Sequence, residues 1–450
     1  MIRNKNIAVI GLGVEGYSAA KYLIKNNNVS IFDDKSQNEI PEIYLKISKN
    51  KNIKFYFAGK MPGILEKFDL AVRSPGIKQA HPVLQLFVQR KVSLTSPTNI
   101  FFDQCPSQII GITGTKGKGT TSTLIYKMLK TQFREVFLAG NIGTPMLDIL
   151  PKLSKNSKVV LELSSFQLID LKKSPNVAVV LMVTSEHLDW HASQHEYIQA
   201  KKNIVKFQTQ NDYAVTNKDF PATENISKAS KGKVFFFSTN KQVNGVYIQK
   251  DKIISNIFKK EIVCNVADVT IPGKHNLQNV CASIAVGKIF DINNNNVKKV
   301  LNNFKGLEHR LQLVRTINGV KFYNDSFSTT PETTIAAVES FAEPKILIIG
   351  GSSKKSNFSV LVSKIIKDPT IKKVILIGSE GEKIQYLLKK AKYKKMLFLK
   401  KKPMESIVKE ASQNSKHGDV VILSPGCASF DMFKNYKDRG YQFIKMVNSL

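Results

Sequence analysis

A glycine-rich stretch that carries a lysine is the part of this sequence with the clearest chemical potential. The residues "ITGTKGKGTT" at 112–121 follow an apolar run and lead into "STLIYKML", a pattern that predicts a helix. Backbone N–H groups at such a helix N-terminus attract anions, and the lysine adds a point charge. We predict a phosphate-binding loop, with a chance match at a strand–helix junction as the alternative. Its residues are Gly114, Thr115, Lys116, Gly117, Lys118, Gly119 and Thr120.

A second glycine-rich turn lies near the N-terminus. The residues Gly11-Leu12-Gly13-Val14-Glu15-Gly16 form a GxGxxG pattern between a predicted strand and a predicted helix, and Asp33 and Asp34 end the next strand. Taken alone, this pattern predicts dinucleotide binding and therefore an NAD-dependent oxidoreductase. The alternatives are another nucleotide or a tight turn without a ligand.

Several isolated charged residues have both a functional and a structural interpretation. Glu162, near a strand end, is either a magnesium ligand or a salt-bridged acid. His187 follows an apolar strand, where α/β folds place their sites, but a lone histidine is usually structural. Lys201 would by default be a solvated helical lysine. Arg310 and Asp325 either line a cleft or belong to a turn or an ion pair.

Composition limits the class of protein. The 450 residues suffice for two or three domains, and no apolar run approaches the roughly 20 residues that span a membrane. The four cysteines have no CxxC spacing, so we expect a reducing cytoplasm without disulfides or structural zinc. The net charge of +32 is extreme, but the lysines are spread along the chain without aromatic interleaving. We therefore expect no nucleic-acid partner and no membrane association.

Short apolar runs alternate with helical stretches, which predicts an α/β fold with doubly wound parallel sheets. Three groups of predicted strands indicate three domains. These are a Rossmann-like domain at 1–97, a central P-loop ATPase-like domain at 98–306 and a C-terminal Rossmann-like domain at 307–450. Within the central domain, residues 231–272 look like an insertion of antiparallel β hairpins.

Five motifs together resemble the Mur ligase family over essentially the whole chain. They are "GNIG" at 140–143, "LELSSFQL" at 161–168, "GKHNLQN" at 273–279, "GLEHR" at 306–310 and "SPGCASFDMFKNYKDRG" at 424–440. The last motif, with "SPGI" at 74–77, is similar to the branch of the family that adds D-glutamate. The resemblance implies that the first domain holds the UDP part of a substrate, which changes the interpretation of the GxGxxG turn.

The resemblance implies a cytoplasmic, ATP- and Mg²⁺-dependent amide ligase of peptidoglycan precursor synthesis, which we expect to be a monomer. In such an enzyme ATP phosphorylates the carboxylate of UDP-N-acetylmuramoyl-L-alanine, and the amine of D-glutamate then attacks the acyl phosphate. Two other interpretations stay open beside the oxidoreductase. One is a homologue that binds the nucleotide substrate without efficient catalysis, and the other is a folylpolyglutamate synthase-like ligase.

The resemblance also implies roles for individual residues. Lys118, His187 and Lys201 would be catalytic, with Lys201 carbamylated, and the magnesium ligands would be Thr120, Glu162, His187 and Lys201. ATP would contact the loop at 114–120 together with Asn276, Asn279, Arg310 and Asp325. The muramoyl substrate would contact Asn141, Ser164 and Gln167. D-Glutamate would contact Thr329, Lys354, Ser429 and Tyr436.

Some positions depart from the family pattern. Gly119 stands where a hydroxyl residue is usual, Phe327 stands where the related enzymes carry lysine, and Trp190 stands where arginine is common. Glu15 puts an acid into the turn that would hold a diphosphate, and Glu186 replaces the usual aspartate. We therefore expect activity that is retained but reduced, and we expect Gly119→Ser or Phe327→Lys to change it.

Overall fold

The structure is a computed structural model that describes residues 2–59, 67–184, 190–353 and 356–450. The chain forms two compact units. The first contains residues 1–268 with 278–300, and the second contains residues 269–277 with 301–450. Among the described residues, no helix has the length and apolar character needed to cross a membrane.

The first unit begins with a five-stranded sheet in which every strand pair is parallel. Its strands are β1 (Asn6–Ile10), β2 (Asn28–Asp33), β3 (Ile53–Phe57), β4 (Leu70–Arg73) and β5 (Ser93–Thr95), and its helices are α1 (Val14–Leu23), α2 (Glu42–Leu45), α3 (Pro82–Gln89) and α4 (Pro97–Gln104). The spatial order is β3-β2-β1-β4-β5. Strand β3 was not predicted from the sequence; it is an edge strand that is mostly half-buried.

A nine-stranded sheet follows. Its strands are β6 (Gln108–Thr113), β7 (Val136–Gly140), β8 (Lys158–Glu162), β9 (Val177–Val180), β10 (Tyr213–Asn217), β11 (Lys233–Ser238), β12 (Gly245–Gln249), β13 (Lys252–Asn256) and β14 (Lys260–Asn265). The order is β14-β13-β12-β11-β10-β9-β6-β8-β7. The antiparallel pairing predicted from residue 231 begins only at β12, because the apolar strand β11 pairs parallel with both β10 and β12.

The helices that follow along the chain are α5 (Lys118–Lys130), α6 (Met146–Ile149), α7 (Ser165–Leu168), α8 (Gln194–Lys206), α9 (Pro221–Ser227), α10 (Lys274–Ile289) and α11 (Asn294–Asn303). Strands β9, β6 and β8 are consecutive interior strands of the parallel part of the sheet, and their Val, Ile and Leu residues are almost fully buried. Such runs are typical of a parallel sheet covered on both faces, and ligands bind beyond the carboxyl ends of its strands.

The second unit contains a six-stranded sheet. Its strands are β15 (Gln312–Ile317), β16 (Val320–Asn324), β17 (Lys345–Gly350), β18 (Ile371–Ile377), β19 (Met396–Phe398) and β20 (Val420–Leu423), and its helices are α12 (Pro331–Glu339), α13 (Ser359–Lys367), α14 (Gly378–Lys390), α15 (Met404–Gln413) and α16 (Tyr436–Asn448). The order is β15-β16-β20-β17-β18-β19, and only the edge pair β15–β16 is antiparallel.

Side chains of β18 show why this sheet needs helices on both faces. Val374 and Leu376 belong to one apolar cluster, whereas Ile375 and Ile377 belong to another. Alternate residues of a strand point to opposite faces, so a continuous apolar strand requires two covering layers.

Candidate active site

The predicted phosphate loop connects β6 to α5, as the sequence indicates. Gly114 and Gly117 have φ values of +155° and +89°, which side-chain-bearing residues rarely adopt. A Cβ atom on Gly117 would lie 2.2 Å from Oδ1 of Asn279, and a Cβ atom on Gly114 would lie 2.7 Å from that of Leu181. The loop therefore requires glycine at both positions, and Asn279 packs directly against it.

Lys118 begins α5 and turns back over the loop. Its Nζ atom donates hydrogen bonds to the carbonyl oxygens of Gly114, at 3.0 Å, and Thr115, at 3.1 Å. Lys116 is exposed, Gly119 is buried and Thr120 is half-buried in the first turn of the helix. The loop thus combines a lysine ammonium with the N-terminus of a 13-residue helix, an arrangement suited to a phosphate.

Lys201 reaches the same loop from α8. Its side chain is 1% exposed, and its Nζ atom lies 3.0 Å from the carbonyl oxygen of Gly114 and 3.3 Å from Oγ1 of Thr113. The ring of Tyr197 lies 4.6 Å below the ammonium, and the Tyr197 hydroxyl contacts Oγ1 of Thr115. Lys201 is therefore not a solvated helical lysine, because it shares the Gly114 carbonyl with Lys118.

Glu162 lies at the carboxyl end of β8, directly opposite Ile112 of β6 and Gly140 of β7. It is 5% exposed, and Oε1 accepts a hydrogen bond of 2.8 Å from Nδ2 of Asn141. In the described part of the chain the Glu162 carboxylate forms no ion pair. A buried carboxylate without a cationic partner is a suitable ligand for a divalent cation.

A hydrogen bond joins the first sheet's turn to the central sheet. Ser164 and Gln167 form a capping box at α7, and Nε2 of Gln167 also donates to Oε1 of Glu15 at 3.2 Å. Burial raises the pKa of the Glu15 carboxyl to about 7, although the hydrogen bond from Gln167 opposes this shift. Asp148, whose charge also raises this pKa, is paired with Lys21 at 2.7 Å.

Asp33 stabilises the first glycine-rich turn itself. Its Oδ2 atom accepts a hydrogen bond of 2.6 Å from the backbone N–H of Leu12, and its Oδ1 atom accepts one of 2.9 Å from the backbone N–H of Lys35. Asp34 lies 2.8 Å from Nε2 of His81. Both carboxylate oxygens of Asp33 therefore accept hydrogen bonds from backbone N–H groups, and neither is presented to the ribose hydroxyls of a dinucleotide.

In the second unit, Asp325 follows β16 and is 5% exposed. Oδ2 accepts hydrogen bonds from the hydroxyls of Ser328 and Ser424, and Oδ1 accepts one from the backbone N–H of Leu311. Burial raises the pKa of Asp325 to about 6, against these hydrogen bonds and the nearby charge of Arg310.

The other predicted residues of this unit are found in several environments. Ser429 is 2% exposed, and Thr329 is half-buried after Asp325. Tyr436 begins α16, and its ring lies against that of Phe327. Asn276 donates to the carbonyl oxygen of Pro272 and belongs to this unit, whereas Asn279 belongs to the first.

Two predicted site residues, His187 and Lys354, lie outside the described residues, as does Glu186. Among the residues that the structure describes, no group of three or more His, Cys, Asp or Glu side chains could hold a metal ion. The described part of the predicted magnesium site is therefore Glu162 with Thr120 and Lys201.

Comparisons with known proteins now determine the family. Residues 5–96 match the family model for the Mur ligase MurD-like N-terminal domain, residues 112–287 match the Mur ligase middle domain, and residues 309–427 match the Mur ligase glutamate ligase domain. A UDP-N-acetylmuramoylalanine--D-glutamate ligase of Acetivibrio thermocellus is 38% identical over 458 residues, which cover 100% of this chain and 97% of that protein.

This chain belongs to the Mur ligase family. A ligase of the same name from Clostridium tetani is also 38% identical, over 100% of this chain and 98% of its own length. Two solved Mur ligase structures share the fold. MurF of Acinetobacter baumannii has a TM-score of 0.63 at 14% identity, with 93% of this chain and 91% of that chain covered. MurC of Thermotoga maritima has a TM-score of 0.59 at 17% identity, with 99% and 100% covered.

This Mur ligase contains buried residues that the sequence analysis did not single out. Arg439 is 0% exposed and donates to carbonyl oxygens of Ser326, Cys427 and Ala428, and burial lowers its pKa to about 10. Arg73 is 2% exposed and donates to the Asp170 carboxylate. Arg439 lies in the quoted motif at 424–440 and Arg73 directly precedes the one at 74–77, but only the fold brings their partners together.

Proposed function

We propose that this Mur ligase adds D-glutamate to UDP-N-acetylmuramoyl-L-alanine in an ATP-dependent reaction of peptidoglycan precursor synthesis. The observation that carries this proposal is the 38% identity, over the full chain, to ligases named for that reaction. The match of residues 5–96 to the MurD-like N-terminal domain supports the same branch of the family. We further propose that the enzyme acts as a monomer in the cytoplasm.

The proposed reaction has two chemical steps. The terminal phosphoryl group of ATP is transferred to the carboxylate oxygen of the L-alanine residue, which releases ADP and leaves an acyl phosphate. The amine of D-glutamate then attacks the acyl carbon, loses a proton and displaces inorganic phosphate from a tetrahedral intermediate. Such chemistry depends mainly on positioning and on neutralising negative charge.

The loop at 114–120 is the proposed ATP site. Its backbone N–H groups and the ammonium of Lys118 would bind the phosphates, because the loop already positions this lysine over its own carbonyl groups. Lys201 is oriented by the Gly114 carbonyl and the Tyr197 ring, so a carbamate at its Nζ atom would replace a cation by a carboxylate beside the loop. Asn279 closes the other side of the loop.

The proposed magnesium ligands fit in part. Glu162 is a buried carboxylate beside β6 that forms no ion pair in the described residues, and the hydroxyl of Thr120 lies in the first turn of α5. Lys201 would contribute only as a carbamate, and His187 completes the proposed set. Bound Mg²⁺ would neutralise charge on the transferred phosphoryl group.

The remaining assignments follow the family pattern. The turn at Gly11–Gly16 would hold the UDP group within a domain at 1–97, and Asn141, Ser164 and Gln167 would contact the muramoyl part. In the proposed C-terminal domain at 307–450, Arg310 and Asp325 would contact the nucleotide, as would Asn276 of the proposed central domain at 98–306. Residues proposed to bind D-glutamate are Thr329, Lys354, Ser429 and Tyr436.

The test is the release of ADP and phosphate by the purified protein with ATP, Mg²⁺ and UDP-N-acetylmuramoyl-L-alanine, with and without D-glutamate. We expect phosphate release that requires both substrates, and a product mass that corresponds to the new amide. L-Glutamate and other D-amino acids serve as controls. Binding of the UDP substrate without turnover would contradict the proposal, and NADH binding would favour the oxidoreductase that the Asp33 contacts already disfavour.

A further inference from the structure

Phe327 is an exposed aromatic residue at a position of fixed backbone. The side chain is 39% exposed, in the loop that follows β16. The backbone N–H of Phe327 donates to the carbonyl oxygen of His309 at 3.0 Å. The backbone N–H of Ser328 donates to the backbone carbonyl oxygen of Asp325 at 2.9 Å. Single exposed apolar residues are common, so only the contacts of the ring can assign it a role.

The ring of Phe327 lies against a cation on one side and an aromatic ring on another. The central guanidinium carbon of Arg310 lies 3.8 Å from the ring centroid, well inside the roughly 6 Å range of cation–π attraction. The ring of Tyr436 meets that of Phe327 edge to face, at 5.1 Å and 89°. The Phe327 ring thus forms one wall for Arg310 and is itself supported by Tyr436.

We propose that Phe327 is a positioning residue that holds the guanidinium of Arg310 in place for the phosphates of the nucleotide. The proposal rests on the proposed function, since it takes ATP as the ligand of Arg310. A guanidinium that stacks on an aromatic face keeps its N–H groups in its own plane, where they donate in the directions that suit phosphate oxygens. A lysine at this position would place a second cation against Arg310. The change of activity expected for Phe327→Lys is therefore a decrease.

Three substitutions of Phe327 distinguish the contribution of its aromatic face from that of its apolar volume. Phe327→Tyr keeps the face, Phe327→Leu keeps an apolar side chain without it, and Phe327→Lys introduces the repelling charge. We expect wild-type behaviour for Phe327→Tyr, a KM for ATP raised about 3- to 10-fold for Phe327→Leu, and a larger increase for Phe327→Lys. The KM for the UDP substrate and the thermal midpoint should change little. Tyr386→Leu removes an aromatic that is 67% exposed in the same unit and serves as the matched control.

A double-substitution cycle tests whether Phe327 acts through Arg310. In an Arg310→Leu background, Phe327→Leu should add less than about 2-fold to the KM for ATP, because its partner is already gone. Equal effects of Phe327→Leu in both backgrounds would overturn the proposal. So would a Phe327→Lys variant that binds ATP as tightly as wild type.

A binding measurement tests this proposal independently of the proposed function. Calorimetric binding of a non-hydrolysable ATP analogue measures the coupling of Phe327 with Arg310 without any turnover. If the wild type released no D-glutamate-dependent phosphate, the proposed function would fail, while the binding cycle would still decide the role of Phe327.

Discussion

The two glycine-rich turns of the first unit use one backbone device in opposite electrostatic surroundings. Each follows an interior strand that pairs parallel with both of its neighbours and leads into a helix, at Gly11–Gly16 and at Gly114–Lys118. In both, added Cβ atoms would collide with neighbours, at 1.9 Å from the Gly11 carbonyl oxygen for Gly16 and 2.2 Å from Asn279 for Gly117. Carboxylates surround the first turn, whereas two lysines converge on the second.

The difference teaches that glycine spacing specifies the path of the backbone, whereas the charges around each turn depend on residues that the spacing does not specify. Asp33 accepts the Leu12 amide, and Glu15 is buried against Gln167 in the first turn. In the second turn the ammonium groups of Lys118 and Lys201 share the Gly114 carbonyl. A GxGxxG pattern alone cannot distinguish these cases, since the deciding contacts come from residues distant along the chain.

We expect the largest effect from a substitution that removes the charge of Lys118 in the second turn. Lys118→Met should lower kcat/KM for ATP by about 10²- to 10³-fold, because the phosphates lose a preorganised cation. Affinity for the UDP substrate, measured by calorimetry, should stay within about 2-fold. The matched control is Lys130→Met, at the exposed end of the same helix. A wild-type kcat/KM in Lys118→Met would exclude this loop as the ATP site.

The next effect concerns the acid of the first turn. Because burial holds the pKa of Glu15 near 7, against an ordinary value of 4.5, the folded protein binds a proton that the unfolded chain releases between these values. The contribution of Glu15 to stability is therefore full below about pH 4.5 and is lost as the pH rises through 7.

Glu15→Gln should accordingly reduce the fall in thermal midpoint between pH 5 and pH 8. Near pH 8 it should stabilise the fold by about 1–3 kcal/mol, since no charge is buried. It should also reduce any loss of UDP-substrate affinity above pH 7. Glu42→Gln, an exposed glutamate of the same sheet region, is the control. Identical pH profiles for wild type and Glu15→Gln would refute this account of the turn.

We expect the smallest effect from Gly119→Ser, which places a hydroxyl in the second turn. Gly119→Ser should lower the KM for ATP or the Mg²⁺ requirement by about 2- to 3-fold, because Thr120 already supplies one hydroxyl nearby. Gly287→Ser is the control, since a Cβ there meets no atom closer than 3.6 Å. A decrease greater than 10-fold would mean that Thr120 does not compensate. Steady-state kinetics at varied ATP and Mg²⁺ concentrations measure both parameters.

Local pattern predicted the loop at Gly114–Lys118 and its helix, because glycine spacing and helix periodicity are short-range signals. The position of Lys201 required the packing of α8 against the end of β6, 87 residues away along the chain. The stacking of Arg310 on Phe327 likewise depends on two loops that meet only in the folded unit. The family resemblance named Lys201 and Arg310, but it treated Phe327 only as a lost lysine.

Strand assignments failed where pattern and environment diverge. The edge strand β3 was missed although four of its five residues, IKFYF, are apolar, and the structure leaves most of this strand half-buried. Strand β11 was taken as part of a hairpin, although "VFFFS" at 234–238 belongs to the parallel region of the central sheet. Sequence periodicity reports how a strand is buried better than it reports which strand lies beside it.

The most direct test of the comparison is calorimetric binding of two ligands to two glycine variants. Gly16→Ala and Gly117→Ala are each titrated with UDP-N-acetylmuramoyl-L-alanine and with a non-hydrolysable ATP analogue, and thermal unfolding verifies that each variant is folded. We predict that Gly16→Ala loses only the UDP substrate and that Gly117→Ala loses only the ATP analogue. A folded Gly117→Ala variant that keeps the ATP analogue and loses the UDP substrate would contradict the assignment of the two turns.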